Sequence, residues 1–241
     1  MSSLIVGRDG DITRLALNRP DKANALDAAL IEELLEAVEA CCRDGTRLLV
    51  FEGEGRNFSN GFDLSDLATA SDGDLVHRLI RIEQLLQAVY HAPITTLALA
   101  HGRNFGAGAD LMLACGTRIC APDASFRMPG LRFGLQLGTR RLAHRIGNDA
   151  ARAVLAESRI VDAGEALAIR FAQEIAPRET WAEIIADKAR KAAMLAPDAA
   201  ARLLAATVVD TRAMDMADLA ASVAMPGLKA RIETYQRSLR A

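Results

Sequence analysis

Residues 94–111 read ITTLALAHGRNFGAGADL, and this stretch decides the fold. Its first part, 94–100, is an apolar run that predicts a buried strand, and the glycines that follow predict a turn. The apolar residues after the turn predict a helix from about Ala109 to Cys115. The segment 48–64 begins in the same way, with a short apolar strand and then a loop rich in Gly, Asn and Ser. Strands that alternate with helices at such short spacing predict an α/β fold.

The sequence before residue 48 extends this alternation. Asp9-Gly10 predicts a hairpin turn between strands at 3–8 and 11–18. Asp27 is predicted to cap a helix that runs to about Cys42, because its side chain precedes a run of leucines and isoleucines with helical spacing.

The sequence after residue 64 becomes progressively helical. An amphipathic helix is predicted at 74–90, short strands at 118–121 and 125–128, and two or three helices within 139–171, with a turn at 160–162. From Thr180 the pattern is helical and is interrupted at Pro197 and at Pro226-Gly227. We therefore expect an α/β core at residues 1–177 and a helical C-terminal region at residues 178–241.

Composition narrows the class of protein. The 241 residues are 51% hydrophobic and carry a net charge of −2, which argues against a basic nucleic-acid or membrane-surface binder. The N-terminus lacks the pattern of a signal peptide, and no apolar run is long enough to span a bilayer. The four cysteines form no C-x-x-C pair and read as reduced thiols, and no His/Cys cluster has the spacing of a metal site. We expect a cytoplasmic protein without a metal.

Two glycine-bearing turns carry the strongest functional signal. The segments 58–64 and 102–110 each follow a buried strand, and each is predicted to open into a helix. Such turns present backbone N–H groups, and two of them side by side suit an anion or a developing oxyanion. A purely structural role is the alternative for either turn alone, since glycine turns after strands are common. Neither turn has the lysine and spacing of a phosphate-binding loop.

Four motifs in order resemble those of the crotonase family, the enoyl-CoA hydratase/isomerase superfamily. Residues 17–26 (LNRPDKANAL) resemble its early CoA-binding loop, and residues 58–64 (FSNGFDL) resemble its first oxyanion segment. Residues 106–111 (GAGADL) resemble its glycine-rich second segment, and residues 138–147 (GTRRLAHRIG) resemble the helix that follows. The match covers residues 4–177, and the C-terminal third resembles the family only as a helical region.

The resemblance implies a spiral of ββα units with a helical C-terminal appendage, assembled as a homotrimer or a dimer of trimers. It implies a lyase or isomerase of acyl-CoA (fatty acid) metabolism that acts on a CoA thioester through an enolate-like intermediate, with no cofactor beyond the CoA of the substrate. The oxyanion donors would be the backbone N–H groups of Phe62 and Ala107, and Asp110 would be the acid or base. The CoA path would be lined by Asn24, Ala25, Phe62, Asp63 and Leu64, and a phosphate would meet Lys229 or Arg231.

The sequence departs from the family at three positions of the expected site. Ala107 replaces a glycine, which keeps the N–H but requires ordinary helical geometry there. Asp110 and Gly130 stand where hydratases have two glutamates, so hydration by two carboxylates is not expected. The family's isomerases rely mainly on the second position, so isomerisation through that position is not expected either.

Two alternatives stay open for the function. One is a catalytically silent CoA-thioester-binding member of the family. The other is a hydrolase, decarboxylase or dehalogenase with a relocated catalytic residue, for which His101, Arg103 and Gln136 are candidates. Structural or solvent-exposed roles are the alternative for the histidines, for Arg103 and Arg127, and for Asp110.

Overall fold

A computed structural model describes residues 2–239 of the chain. It contains nine strands: β1 (Leu4–Asp9), β2 (Ile12–Leu17), β3 (Leu48–Gly53), β4 (Thr95–Ala100), β5 (Arg103–Phe105), β6 (Thr117–Cys120), β7 (Ser125–Arg127), β8 (Val161–Asp162) and β9 (Glu174–Ile175). Ten α-helices lie between and after them: α1 (Ala28–Cys41), α2 (Asp72–Tyr90), α3 (Ala107–Ala114), α4 (Thr139–Ile146), α5 (Asn148–Glu157), α6 (Ala163–Ala168), α7 (Trp181–Ala192), α8 (Pro197–Thr207), α9 (Arg212–Ala224) and α10 (Leu228–Ser238). These counts hold for residues 2–239.

Two sheets organise the strands. The larger sheet has the order β1-β2-β3-β4-β6-β9, and all its pairs are parallel except the β1–β2 hairpin. The smaller sheet has the order β5-β7-β8, with β5 parallel and β8 antiparallel to β7. The parallel strands separated by helices confirm the α/β prediction and match the crotonase-like architecture that the motifs implied.

The central strands β3 and β4 of the larger sheet are buried on both faces, and alternate side chains along a strand point to opposite faces. In β3, Leu49 and Phe51 join the main core under α1, α2 and α3, whereas Leu48 and Val50 join a second core under α7. A third apolar cluster joins α2 to α9 and α10 through Leu75, Leu79, Leu219, Val223, Leu228 and Ile232. The C-terminal helices therefore share cores with the α/β part. The boundary near residue 177 stays a prediction.

The predicted N-cap of helix α1 is confirmed. The Asp27 carboxylate accepts a hydrogen bond from the Leu30 N–H at 2.9 Å, as an N-cap does. Helix α2 begins two residues earlier than predicted, because Ser71 and Asp74 form a capping box. All four cysteines are free.

Three short strands and one helix break were not predicted. Strands β5, β8 and β9 span two or three residues, which is too short for a periodic signal, and β8 occupies the segment expected to be a turn. The break between α8 and α9 falls at 208–211, where the Asp210 side chain accepts a bond from the Arg212 N–H at 3.1 Å. Within residues 2–239, no helix is long and apolar enough to cross a membrane.

Candidate active site

One cavity of about 490 Å³ gathers residues from distant parts of the chain. Its wall includes the early loop, both glycine turns, the segment 128–139 and helix α10. Most of the lining is apolar, and among the described residues its acidic members are Asp63 and Asp110. A largely apolar cavity with few polar groups is the usual form of a small-molecule site.

The two glycine turns cross each other with their backbones in contact. The Phe105 N–H donates to the Ser59 carbonyl at 3.1 Å, and Ser59 and Asn104 form an isolated parallel bridge. A Cβ at Gly61 would lie 2.2 Å from the Phe105 oxygen, and one at Gly108 would lie 2.3 Å from the Ser59 oxygen. Both positions require glycine, since any side chain would push the segments apart.

This crossing brings the predicted oxyanion donors to the same cavity. Phe62 and Ala107 both line it, and the Ala107 nitrogen lies 3.1 Å from the Cβ position of Gly61. Within residues 2–239 neither backbone N–H donates to a protein acceptor. Backbone N–H groups shielded from water almost always have a partner, so two free ones on residues that line one cavity suit an acceptor atom of a bound molecule.

The prediction that each turn opens directly into a helix is right for one turn and wrong for the other. Gly106 has a φ of 50°, and Ala107 is the first residue of α3, so the positive φ falls on the glycine and alanine keeps helical geometry. The first turn leads instead into a non-helical segment, and α2 begins only at Asp72. Phe62 is held by its neighbours instead: the Leu26 N–H donates to Gly61 and the Asp63 N–H donates to Leu26.

Four of the five residues expected on the CoA path line the cavity, namely Ala25, Phe62, Asp63 and Leu64. Asn24 lies behind it and is fully buried. Its amide nitrogen donates to the carbonyls of Glu54 and Asn57 at 2.9 and 2.7 Å, and its oxygen accepts from the Arg19 N–H at 2.8 Å. The structure thus places Asn24 as a support of the early loop.

A buried ion pair ties the early loop to the first oxyanion segment. Arg19 contacts the Asp63 carboxylate at 2.8 Å and the Asp27 carboxylate at 3.0 Å. Burial opposes the ionisation of Asp63, but the hydrogen bond from Ser65 and the charge of Arg19 outweigh it and hold the pKa of this carboxyl below its usual range. Asp63 therefore fixes the segment that carries the Phe62 N–H.

Asp110 lies one helical turn after Ala107 and lines the cavity while being almost fully buried. Its Oδ1 lies 3.4 Å from Nε of Arg141, whose Nη2 lies 3.0 Å from Oε2 of Glu83. Burial raises the pKa of Asp110, and the Arg141 charge opposes that rise. A carboxyl that is buried, charge-coupled and open to a cavity has the character of an acid or base.

Gly130 offers no second proton-transfer group. It begins a short 3₁₀ turn, Gly130–Phe133, and a Cβ there would lie 2.9 Å from the Leu135 carbonyl oxygen. The neighbouring wall is apolar, with Met128, Pro129 and Leu135. No acidic or imidazole side chain of the described residues fills the place of the missing glutamate.

The candidates for a relocated catalytic residue lie outside the lining of this cavity within residues 2–239. Nε2 of His101 lies 3.1 Å from the Gly55 carbonyl, and burial lowers the pKa of this histidine. Arg103 is exposed, and Gln136 donates to Asp218 at 2.9 Å. The Nε of Arg127 donates to the Ser158 carbonyl at 2.7 Å.

The two basic residues expected at a CoA phosphate hold backbone carbonyls. Lys229 donates to Ala68 and Ala70 at 2.7 and 3.0 Å, and Arg231 donates to Phe133 at 2.7 Å.

Three polar features of the site were not predicted from the sequence. Lys22 lines the cavity from the early loop, and Thr139 lines it beside Asp110 with a buried hydroxyl that has no partner in residues 2–239. Glu83 and Arg141 form the charge cluster behind Asp110. Glu83 follows Leu79 by four residues, so its place on the apolar face of α2 was the available signal. Among the described residues no group of three or more His, Cys, Asp or Glu side chains could hold a metal ion.

Comparison with known proteins agrees with this geometry. The family model described as enoyl-CoA hydratase/isomerase matches residues 7–238. A Bordetella parapertussis structure described as an enoyl-CoA hydratase/isomerase is 48% identical, covers 97% of this chain and 98% of its own, and superposes with a TM-score of 0.96. The probable enoyl-CoA hydratase of Mycobacterium leprae is 36% identical over 181 residues, which are 71% of each chain.

A third relative carries the name of an isomerase. Human mitochondrial Δ3,5-Δ2,4-dienoyl-CoA isomerase is 32% identical over 182 residues, which are 69% of this chain and 56% of the relative. Fold, motifs and relatives agree, and the chain belongs to the enoyl-CoA hydratase/isomerase family of enzymes.

Proposed function

We propose that this enzyme binds an acyl-CoA thioester and abstracts a proton from the carbon next to its carbonyl. The carbonyl oxygen would accept from the N–H groups of Phe62 and Ala107, and Asp110 would take the proton. The observation that carries the proposal is the pairing of two free backbone N–H groups with one buried carboxyl in a single, largely apolar cavity. Each part of that pairing has a separate task in enolate formation.

The proton transfer balances with the groups at hand. The C–H electron pair becomes the new carbon–carbon double bond, the carbonyl electrons move to oxygen, and the proton goes to an Asp110 oxygen. Each donor N–H contributes about 3–4 kcal/mol to lowering the barrier in comparable oxyanion sites. Return of the proton to a different carbon would move a double bond, which needs one acid–base group.

Hydration is a poorer fit to the same cavity. Adding water across a double bond calls for a group that activates the water and a group that supplies a proton. The wall at Gly130 is apolar, and Asp63 is engaged by Arg19. We therefore favour an isomerase-type proton transfer over hydration.

A silent binding protein is the second candidate. It is favoured by the ion pair between Asp110 and Arg141, which gives the carboxyl a structural partner inside the protein. A group held only for stability would leave the cavity able to bind CoA thioesters without turning them over.

Deuterium exchange separates the two candidates whichever product the enzyme forms. Saturated butanoyl-CoA and octanoyl-CoA would be incubated with the enzyme in D₂O, and uptake next to the carbonyl would be followed by mass spectrometry, alongside calorimetric binding. We expect exchange with the wild type and a loss of about 100-fold or more in Asp110→Asn, the usual range for a general base. Asp149→Asn is the matched control, because that side chain is 98% exposed.

Each result assigns the function. Binding without exchange or turnover of any ester supports the silent binding protein. Exchange that survives Asp110→Asn removes Asp110 as the base. No binding of any CoA ester would contradict both candidates. The homotrimer and the cytoplasmic location stay predictions, and light scattering of the purified protein tests the first.

A further inference from the structure

The charge cluster behind the cavity pairs two carboxyl groups with one guanidinium. Glu83 on α2, Asp110 on α3 and Arg141 on α4 each have side chains no more than 2% exposed. One guanidinium thus serves two carboxyls in a place that water scarcely reaches. A buried net charge is costly, so the two carboxyls compete for Arg141.

We propose that Glu83 is a positioning residue for catalysis: by binding Arg141 it keeps this guanidinium shared, and so leaves Asp110 able to take up a proton. The proposal rests on the proposed function, since it concerns the same base. Had Asp110 an arginine to itself, that charge would hold the carboxylate ionised and make it a weak base.

Arg141 lies nearer to Glu83 than to Asp110. The Glu83–Arg141 distance is 3.0 Å, against 3.4 Å for Asp110–Arg141. Glu83 also accepts a hydrogen bond from the Gln87 amide at 2.9 Å, and Gln87 is in turn held by the Arg212 carbonyl at 3.1 Å. These contacts anchor Arg141 on the side away from the cavity.

The electrostatics agree with a shared cation. Burial raises the pKa of Glu83 to about 7, against the pull of Arg141. Burial also raises the pKa of Asp110. For Arg141, burial favours the neutral form, but the two carboxyls outweigh it and raise its pKa, so the guanidinium stays charged.

His91 at the end of α2 and Arg145 on α4 also lie near Arg141, but as basic groups they do not compete for it. The remaining charges around α2 have other partners. Asp215 of α9 adds negative potential to the cluster, but Arg140 lies 3.1 Å from it and 2.5 Å from Asp218. On the α1 side, Glu32 pairs with Arg81. On the α10 side, Lys229 is bound to backbone carbonyls. Within residues 2–239, the competition for Arg141 is therefore between Glu83 and Asp110.

The test is the proton affinity of Asp110 in Glu83→Gln, measured on the full chain by two methods. The first is the carboxyl ¹³C chemical shift of Asp110 against pH without ligand. The second is the pH profile of deuterium exchange. We expect the apparent pKa of Asp110 to fall by about one unit or more, because Arg141 then serves Asp110 alone. Glu36→Gln, which removes an exposed carboxylate from α1, should leave it unchanged.

A second variant guards against misfolding of the first. Gln87→Met removes a hydrogen-bond donor to Glu83 while Glu83, Arg141 and Asp110 all remain. The ionised form of Glu83 should then be less favoured, and the pKa of Asp110 should fall by less than in Glu83→Gln. An unchanged or raised pKa of Asp110 in a folded variant of either kind overturns the proposal. If the wild type exchanges no ester, the proposed function fails, while the ligand-free titration still decides the role of Glu83.

Discussion

The Asp110 carboxylate lies directly against the α-carbon of Gly138: a Cβ added to Gly138 would stand 2.0 Å from Oδ2 of Asp110. Gly138 has a φ of 67° and precedes α4, the helix that carries Arg141. The turn at Gly138 therefore contacts the Asp110 carboxylate and also begins the helix that carries Arg141, the cation paired with Asp110.

Gly138→Ala is expected to disable catalysis while sparing the fold. The new methyl group must displace the Asp110 side chain, and the left-handed conformation adds about 1 kcal/mol of instability. We expect at least a 10-fold loss of deuterium exchange with CoA-ester affinity kept within about 3-fold. Gly10→Ala is the control, because Gly10 has a φ of 59° and open space at its Cβ position. Equal exchange rates in the two variants would show that the Asp110 contact has no role.

Arg19→Gln is expected to lower stability in a pH-dependent way. Asp63 is nearly buried and would lose its cation, so the free energy of unfolding should fall by about 3 kcal/mol at pH 7. The sign follows from the depressed pKa of Asp63: its stabilising contribution is complete above about pH 4 and is lost as the pH falls through the folded value. The variant and the wild type should therefore converge in acid.

Urea unfolding at pH 7 and at pH 3 measures this difference, with Arg14→Gln as the control. Arg14 also pairs with a carboxylate, Glu52, but its side chain is 54% exposed, so its loss should cost about 1 kcal/mol or less. A constant difference between Arg19→Gln and the wild type at both pH values would contradict the role given to Asp63.

The motifs predicted residues that the structure places around one cavity, but they did not predict the charge cluster behind Asp110. The two glycine turns were found from the local sequence, whereas Phe62 and Ala107 were named within them only through the resemblance. The crossing of the turns follows from Gly61 and Gly108. Asp110 was found only through the resemblance. Glu83 and Arg141 lie in separate helices, and their meeting is a tertiary contact that no local pattern records. The short strands β5, β8 and β9 were not predicted for the same reason, because their pairing depends on distant segments.

Leu155→Phe is expected to shorten the acyl chain that the enzyme accepts. Leu155, Thr139 and Leu131 line both the main cavity and an adjoining one of about 390 Å³, on the side of Asp110 and Gly130. A larger side chain there should block passage from one to the other. We expect kcat/KM for deuterium exchange to fall about 10-fold with octanoyl-CoA and to change little with butanoyl-CoA.

Initial rates with the two esters measure this preference, and Leu203→Phe is the control. Leu203 is 52% exposed on α8, so the same enlargement there should change neither rate. An equal loss for both esters would show that Leu155 supports the fold and does not select chain length.

Lys22→Ala is expected to weaken CoA binding without changing the chemistry. Lys22 is an exposed cation on the cavity wall, in the early loop next to the expected CoA path. A CoA phosphate near it would gain a charge contact worth about 1 kcal/mol or less, which corresponds to about 3- to 5-fold in Kd. Calorimetry with butanoyl-CoA should show this loss at low salt and a smaller one at about 0.5 M salt, because ions screen exposed charges. Arg202→Ala removes another exposed cation, on α8, and should leave Kd unchanged at both salt concentrations. A salt-independent loss in Lys22→Ala would instead mean that the lysine acts by shaping the loop.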